Sequence, residues 1–393
     1  MGHTLIPRDH KSILCKAPKC LILPTVYLVL NFPFGESRNC ESQIQHFVDC
    51  SVLCQSILKK LYISPMMKIV PVSLALFALS LLISSCGGDE NPVPEGLDLR
   101  QEMREFVIGI SANARQRDTD FIVIPQNGIE LVSVNGEEGG MPHVAYLAAI
   151  DGNGQEDLFY GYDRDDRATP SADNAYLRAF LDISQEAGNT ILVTDYCSTP
   201  ANMDDSYAKN AAQGYTSFAA SQRELDNIPG YPTALQGENA GAITTLSQVQ
   251  NFLYLINPDQ FASKAAFIDA VTARNYDLII MDLYFHDGST FSAAEVDQLR
   301  AKANGGSRLV IAYMSIGEAE DYRYYWQQNW NNNPPAWLDE ENPDWEGNYK
   351  VRYWEEDWQA VIFGNQDAYL SKILNAGFDG VYLDIIDAFE YYE

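Results

Sequence analysis

The 393-residue sequence predicts an α/β protein of the (β/α)8, or TIM-barrel, class, and three observations carry that prediction. Eight short apolar, β-prone runs alternate along the chain with segments of helical period, the pattern of parallel strands joined by crossover helices. Most of these runs end in polar or acidic residues, as strands do when their C-terminal ends form a ligand rim. A doubly wound open sheet is the competing arrangement. It usually carries a glycine-rich phosphate loop after its first strand, and neither G-x-G-x-x-G nor a P-loop occurs here.

Taken in order, Leu99, Met103, Phe106, Val107, Ile110 and Ala114 recur at helical spacing between Asp98 and Arg117 and predict an amphipathic helix with no strand before it. Phe121–Pro125 (FIVIP) reads as a buried strand ending in Gln126-Asn127-Gly128. The apolar run Ala145–Gly152 reads as the second strand, followed by Gln155, Glu156 and Asp157 and a helix over 172–186. Thr190–Thr194 is the third, ending at Asp195-Tyr196-Cys197, with a helix near 204–212; Gly214–Ala220 is a weaker fourth. Arg223–Leu246 is rich in Gly, Pro and Asn, has little periodicity and reads as a connector.

The second half repeats the alternation. Phe252–Ile256 is the fifth strand, with a helix over 261–274. Leu278–Met281 is the sixth, ending at Asp282, and its helix over 292–303 opens on a Ser292/Glu295 capping box. Arg308–Met314 is the seventh, ending in Ser315-Ile316-Gly317-Glu318. Asp321–Trp358 is an acidic, aromatic insertion that contains all six tryptophans. A helix over 359–375 then leads to the eighth strand, Gly380–Leu383, where Asp384 and Asp387 follow. Asp384 stands either as a rim acid or as a cap on the turn behind it; position alone does not separate the two.

The front of the chain does not read as fold. Met66-Met67-Lys68, the apolar run Ile69–Ile83 and Ser84-Ser85-Cys86 have the layout of a secretory signal. Ile83-Ser84-Ser85-Cys86 resembles a bacterial lipobox, which implies that Cys86 becomes a lipid-bearing N-terminus. The expected organisation is therefore an upstream extension over 1–65, a lipoprotein signal over 66–85, a tether over 86–97 and one barrel domain over 98–393. It implies a cell-envelope protein anchored by lipid to an outer membrane or cell surface. Five of the seven cysteines (Cys15, Cys20, Cys40, Cys50 and Cys54) precede the signal, leaving Cys86 and Cys197 and no expected intrachain disulfide.

From residue 86 onward 18 Lys and Arg stand against 50 Asp and Glu. Such a surface repels nucleic acid and anionic glycans and attracts a cationic polymer, although solubility of an exported protein accounts for the charge equally well. No nucleic-acid partner is expected.

Several segments are similar to the family 114 glycoside hydrolases, the endo-α-1,4-polygalactosaminidase-like group: YMSIGEAEDYR (313–323), NPDWEGNYKVRYW (342–354), GFDGVYLDIIDAFEYYE (377–393), FIVIPQNG (121–128) and QEDLFY (155–160). The resemblance spans roughly 102–393 and implies a TIM-barrel glycosidase acting on an amino-sugar polysaccharide. It also implies a circular permutation, because in the family order the segment like FLYLI (252–256) opens the barrel, whereas here the strands run 5-6-7-8-1-2-3-4. The chain's last strand, whose following turn exposes Phe389 and Tyr392, would then continue into the helix over 98–117.

Glycosidic hydrolysis takes two carboxyl groups flanking the bond. The strand-end acids are Glu156, Asp195, Asp282, Glu318 and Asp384. The resemblance implies Asp384 as nucleophile or stabiliser and Glu156 as acid/base, leaving Asp282, Glu318, Asp195, Asn127, Tyr254, Asp387 and Tyr313 to bind substrate. Tyr322, Trp326, Trp345, Tyr353 and Trp354 are further rings for stacking on sugars or for core packing. No metal or cofactor is expected: His143 and His286 form no ligand pair, and no G-x-S-x-G elbow is present. Two function classes remain, a secreted glycosidase and a non-catalytic surface barrel that binds glycans.

Overall fold

The computed structural model describes residues 93–393. The extension 1–65, the signal segment 66–85, the lipobox Cys86 and the start of the tether lie outside the described residues.

Helix α1 (Leu99–Arg115) begins where the Asp98 carboxylate accepts the Gln101 N–H at 3.0 Å, an N-cap. Its helically spaced apolar residues, Met103, Phe106, Val107, Ile110 and Ala114, are all buried. Eight parallel strands follow: β1 (Ile122–Pro125), β2 (Gly152–Glu156), β3 (Thr190–Tyr196), β4 (Thr216–Ala220), β5 (Phe252–Tyr254), β6 (Leu278–Asp282), β7 (Leu309–Ser315) and, after three short strands of an insertion, β11 (Gly380–Asp384). The helices between them are α2 (Val144–Ala149), α3 (Ser171–Glu186), α4 (Pro200–Gln213), α5 (Lys264–Thr272), α6 (Ala293–Leu299), α7 (Glu356–Ile362) and α8 (Tyr369–Asn375). The chain is thus an α/β fold of parallel strands and crossover helices.

One sheet runs β5-β6-β7-β11-β1 and a second runs β2-β3-β4. The strand nearest the C-terminus sits inside the first sheet: Gly380 pairs with Ile311 on one side and with Ile122 on the other, so β11 joins residues from opposite ends of the described chain. A parallel bridge from Gln126 to Gly154 links β1 to β2. β4 meets β5 through the Phe218 and Phe252 rings, 5.8 Å apart, and Thr216 Oγ1 donates to Val249 O in the turn before β5 at 3.1 Å.

Two expected elements are corrected. The apolar run over 145–152 forms not the second strand but α2, capped by the His143 ring nitrogen, which accepts from Tyr146 N; a six-residue apolar run is ambiguous in period. The strand is instead the polar stretch GNGQE, whose ladder to β3 and whose packing, not its propensity, make it one. Gly154 is required there: a Cβ would stand 1.9 Å from the Tyr382 hydroxyl oxygen and 2.4 Å from its ring carbon. Gly154→Ala should therefore destabilise the fold by about 1–3 kcal/mol, read as a lower thermal midpoint with the far-UV spectrum retained. The second correction is the helix over 359–375, which is broken into α7 and α8 around Gly364 (φ 94°), a left-handed position that glycine adopts freely.

The insertion forms an antiparallel sheet, β8 (Glu318–Glu320), β10 (Asn348–Val351) and β9 (Leu338–Glu341), in the order β8-β10-β9. Its tryptophans pack on one another, Trp326 on Trp330 and Trp330 on Trp337 at 5.1 Å, and Trp337 on Trp358 at 4.9 Å. Trp358 is buried and donates its Nε1–H to Ile316 O, tying this aromatic core to the end of β7. The connector after β4 is not slack either. Ile243 and Leu246 are buried, and Arg223 and Asn239 each reach a buried carboxylate.

Candidate active site at the strand ends

Parallel strands carry their C-terminal ends to one side, and five of the predicted site residues meet there. Asp384 ends β11, Glu156 ends β2, Asn127 follows β1, Tyr254 ends β5 and Tyr313 lies near the end of β7. The two acids are bridged by a side chain that the sequence reading left out of the site. Gln126 Nε2 donates to Glu156 Oε2 at 2.9 Å and to Asp384 Oδ1 at 2.8 Å. Its amide cannot turn around without losing a third contact, because the Tyr254 hydroxyl donates to Gln126 Oε1 at 2.9 Å. Two bonds to one nitrogen hold the nearest carboxylate oxygens within two hydrogen-bond lengths, under about 6 Å.

Each acid has further donors. Glu156 Oε2 also accepts from Asn127 Nδ2 at 3.0 Å, Glu156 Oε1 accepts from the Tyr196 hydroxyl, and Asn127 Oδ1 accepts the Glu156 backbone N–H at 3.0 Å. Asp384 Oδ2 accepts from the Tyr313 hydroxyl at 2.5 Å. Burial, and secondarily the neighbouring carboxylates, push the Tyr196, Tyr254 and Tyr313 phenols well above the ordinary tyrosine range. They therefore stay protonated as donors. The backbone leaves β1, β2 and β11 through left-handed residues, Asn127 (φ 59°), Asp157 (φ 58°) and Ile385 (φ 56°). A β-branched residue there is a true outlier, and such conformations concentrate at ligand sites.

The remaining predicted residues lie apart from the pair. Asp195 is fully buried and committed to structure: it accepts the Phe159 and Tyr160 N–H groups at 2.8 and 3.1 Å and Ser206 Oγ and Asn210 Nδ2 of α4 at 2.6 and 3.1 Å. Successive side chains of a strand point to opposite faces, so Asp195 faces α4 while Tyr196 faces the site. Glu318, also buried, accepts from Asn342 Nδ2 and the Tyr391 hydroxyl, both at 2.7 Å, and joins the inserted sheet to the turn after β11. Asp387 is half-buried at the start of that turn. Tyr353 is buried and donates to Leu99 O at 2.8 Å, a packing role rather than a sugar platform.

Asp282 belongs to a second group beside the pair. Arg323 pairs with Asp282 at 2.7 Å and with Glu320 at 2.5 Å, its guanidinium carbon 5.4, 5.2 and 5.6 Å from the Tyr284, Tyr322 and Tyr369 ring centroids. Burial pushes the Asp282 carboxyl upward against the pull of Arg323. This group walls a cavity of about 550 Å³, which Asp259, Asp287, Asn257 and Asn348 make polar and acidic. Tyr313 connects the two groups: its ring lines the cavity and its hydroxyl holds Asp384. Glu320 and Arg323 fall inside the segment 313–323 quoted above, but nothing in their spacing marks them as partners of Asp282, 38 and 41 positions earlier. Among the described residues no three or more His, Cys, Asp and Glu side chains are arranged to hold a metal ion, and no helix is long and apolar enough to cross a membrane.

Fold and geometry together define a class, an α/β protein of parallel strands with a carboxylate-bearing site at the strand ends. Residues 232–392 match Glycoside-hydrolase family GH114. Uncharacterized proteins are similar to it: one of Methanocaldococcus jannaschii at 43% identity over 157 residues (39% of this chain, 42% of that protein); one of Deinococcus radiodurans at 46% over 123 residues (31% and 37%); and one of Thermotoga maritima at 38% over 122 residues (31% and 36%). The chain thus spans about two fifths of the length of the curated relatives it matches.

Proposed function

We propose that the protein is a glycoside hydrolase that cleaves an amino-sugar-containing polysaccharide, with Asp384 as nucleophile or stabiliser and Glu156 as acid/base. The observation that carries this reading is the Gln126 amide nitrogen bonded to both carboxylates. Paired acids at about 5–5.5 Å retain configuration and those at about 6.5–9.5 Å invert it; a separation bounded by two hydrogen bonds favours retention. The acidic surface and the acidic cavity beside Tyr313 favour a cationic polymer. The test is to incubate the protein with a panel of amino-sugar polymers and read new reducing ends, with the anomer of the first product followed by NMR. Binding to a polymer without new reducing ends would instead identify a glycan-binding barrel.

We read the two sheets as one (β/α)8 barrel in permuted order. Supporting this are the β1–β11 pairing, the Gln126–Gly154 bridge and the β4–β5 contact. So does Arg100, near the start of α1, which holds the Glu393 carboxylate with two bonds of 2.9 Å. The family match begins at residue 232, at the connector that would bridge the ancestral ends. Export and lipid anchoring at Cys86 complete the proposal. Expression from Met66 or Met67 should give a membrane-attached, processed protein, and Cys86→Ser should abolish the attachment; unchanged attachment in the variant would count against the anchor.

A further inference from the structure

Arg223 lies in the connector after β4, a stretch with no sequence signal for a site, yet its guanidinium stands over the rim. Nη2 and Nη1 grip both oxygens of Asp157 at 2.8 and 3.1 Å, Nε donates to Asp165 at 2.8 Å, and Nη2 also reaches Gly161 O at 3.2 Å. With its edges fixed in this way, the flat face lies 3.8 Å from the Tyr196 ring centroid. That is stacking distance for a guanidinium on an aromatic ring. Tyr196 in turn donates its hydroxyl to Glu156 Oε1, while the Gln126 and Asn127 amides hold Oε2.

We propose that Arg223 is a positioning residue for the acid/base: anchored on Asp157, it clamps the Tyr196 ring, and through the Tyr196 hydroxyl it fixes the place of the Glu156 carboxyl. The inference rests on the role given to Glu156 above. Asp157 follows Glu156 directly and leaves the strand in a left-handed turn, which sends its carboxylate to Arg223. Arg223 is about one seventh exposed and Asp157 is buried, so the pair is a fixed anchor rather than a mobile surface contact.

The charges around Glu156 give the sign of the effect. The carboxylates of Asp157 and Asp384 and the phenols of Tyr196, Tyr254 and Tyr382 face it, and Arg223 supplies positive charge among them. Burial pushes the Asp157 carboxyl up, with Arg223 opposing it. Losing the arginine removes a cation near Glu156 and loosens a hydroxyl that stabilises its anion. Both changes make Glu156 hold its proton to higher pH.

The test needs no substrate. The carboxyl carbon of Glu156, assigned by its absence in Glu156→Gln, is titrated by NMR in the parent and in Arg223→Gln, Arg223→Lys and Tyr196→Phe. Arg223→Gln and Tyr196→Phe should each raise the midpoint by about one pH unit, a tenfold change in proton affinity. The double variant should shift the midpoint by less than the sum of the two single shifts, since each single change already loses the hold of the Tyr196 hydroxyl and only Arg223→Gln also removes the cation. Lysine should fail to restore the parent midpoint, because an ammonium neither forks onto Asp157 nor stacks on a ring. On a substrate that the parent cleaves, the alkaline limb of kcat/KM should move up with the midpoint. A parent-like midpoint in folded Arg223→Gln or in Arg223→Lys, or additive shifts in the double variant, would overturn the clamp. Should Arg223→Gln fail to fold, Arg223→Lys and Tyr196→Phe carry the same readout. A parent that cleaves no glycan would sink the glycosidase reading, while the titration would still judge Arg223.

Discussion

Asp384→Asn and Glu156→Gln should each lower the cleavage rate by about a thousandfold or more while leaving the fold and sugar binding near those of the parent. A nucleophile or acid that acts only in the transition state contributes several kcal/mol there, and each 1.36 kcal/mol is a factor of ten. Both substitutions keep the side-chain shape: the oxygen of each new amide can accept from Gln126, and its nitrogen can donate to the hydroxyl oxygen of Tyr313 or Tyr196. Circular dichroism and thermal midpoints close to the parent, together with retained polymer binding, separate lost chemistry from lost structure. Most of the activity surviving in either variant would move that role to the neighbouring acids Asp282 or Glu320, which border the cavity.

The largest stability effect is expected at the other end of the strands. Asp277 immediately precedes β6, and its carboxylate is wholly buried against Lys302 Nζ at 2.8 Å. Asn239 of the connector donates to both Asp277 oxygens, at 3.0 and 2.8 Å, and the Gln250 N–H donates at 3.0 Å; Lys302 in turn donates to Asn239 O at 2.8 Å. Removing one partner of a buried pair strands the other charge away from water. Lys302→Met should therefore cost about 3–5 kcal/mol in denaturant unfolding. That is a large fraction of a typical domain stability of roughly 5–15 kcal/mol. Asp277→Asn combined with Lys302→Met should cost less than the two single changes together, since no lone charge then remains. Equal and additive losses would show that the pair is not coupled.

Much of the fold was legible because hydrophobic period survives in a single sequence. α1, β1, β3, β6, β7 and β11 fall within a residue or two of where apolar spacing and caps place them, and the Ser292/Glu295 capping box forms as written. β2 was not legible: GNGQE has no strand propensity, and only the ladder to β3 and the Tyr382 hydroxyl above Gly154 explain it. The site divides in the same way. Asp384, Glu156, Asn127, Tyr254 and Tyr313 were marked and converge, whereas Gln126, Tyr196 and Arg223 were missed. Gln126 was visible as the first polar residue after FIVIP, and Tyr196 as the neighbour of a strand-end acid. Choosing Tyr196 over Asp195 requires knowing which face of β3 meets the site.

The sequence by itself determined the alternation of strands and helices, the acids that close the strands and the short segments similar to the family 114 glycoside hydrolases, because each is written in residues close together along the chain. Tertiary structure alone decided which acids share a donor, which are consumed by loops and which connector residue reaches the rim. Those outcomes depend on strand register and side-chain facing. Gln126 meets Asp384 across 258 positions, and Arg223 meets Asp157 across 66, only because parallel pairing brings distant strand ends to one side.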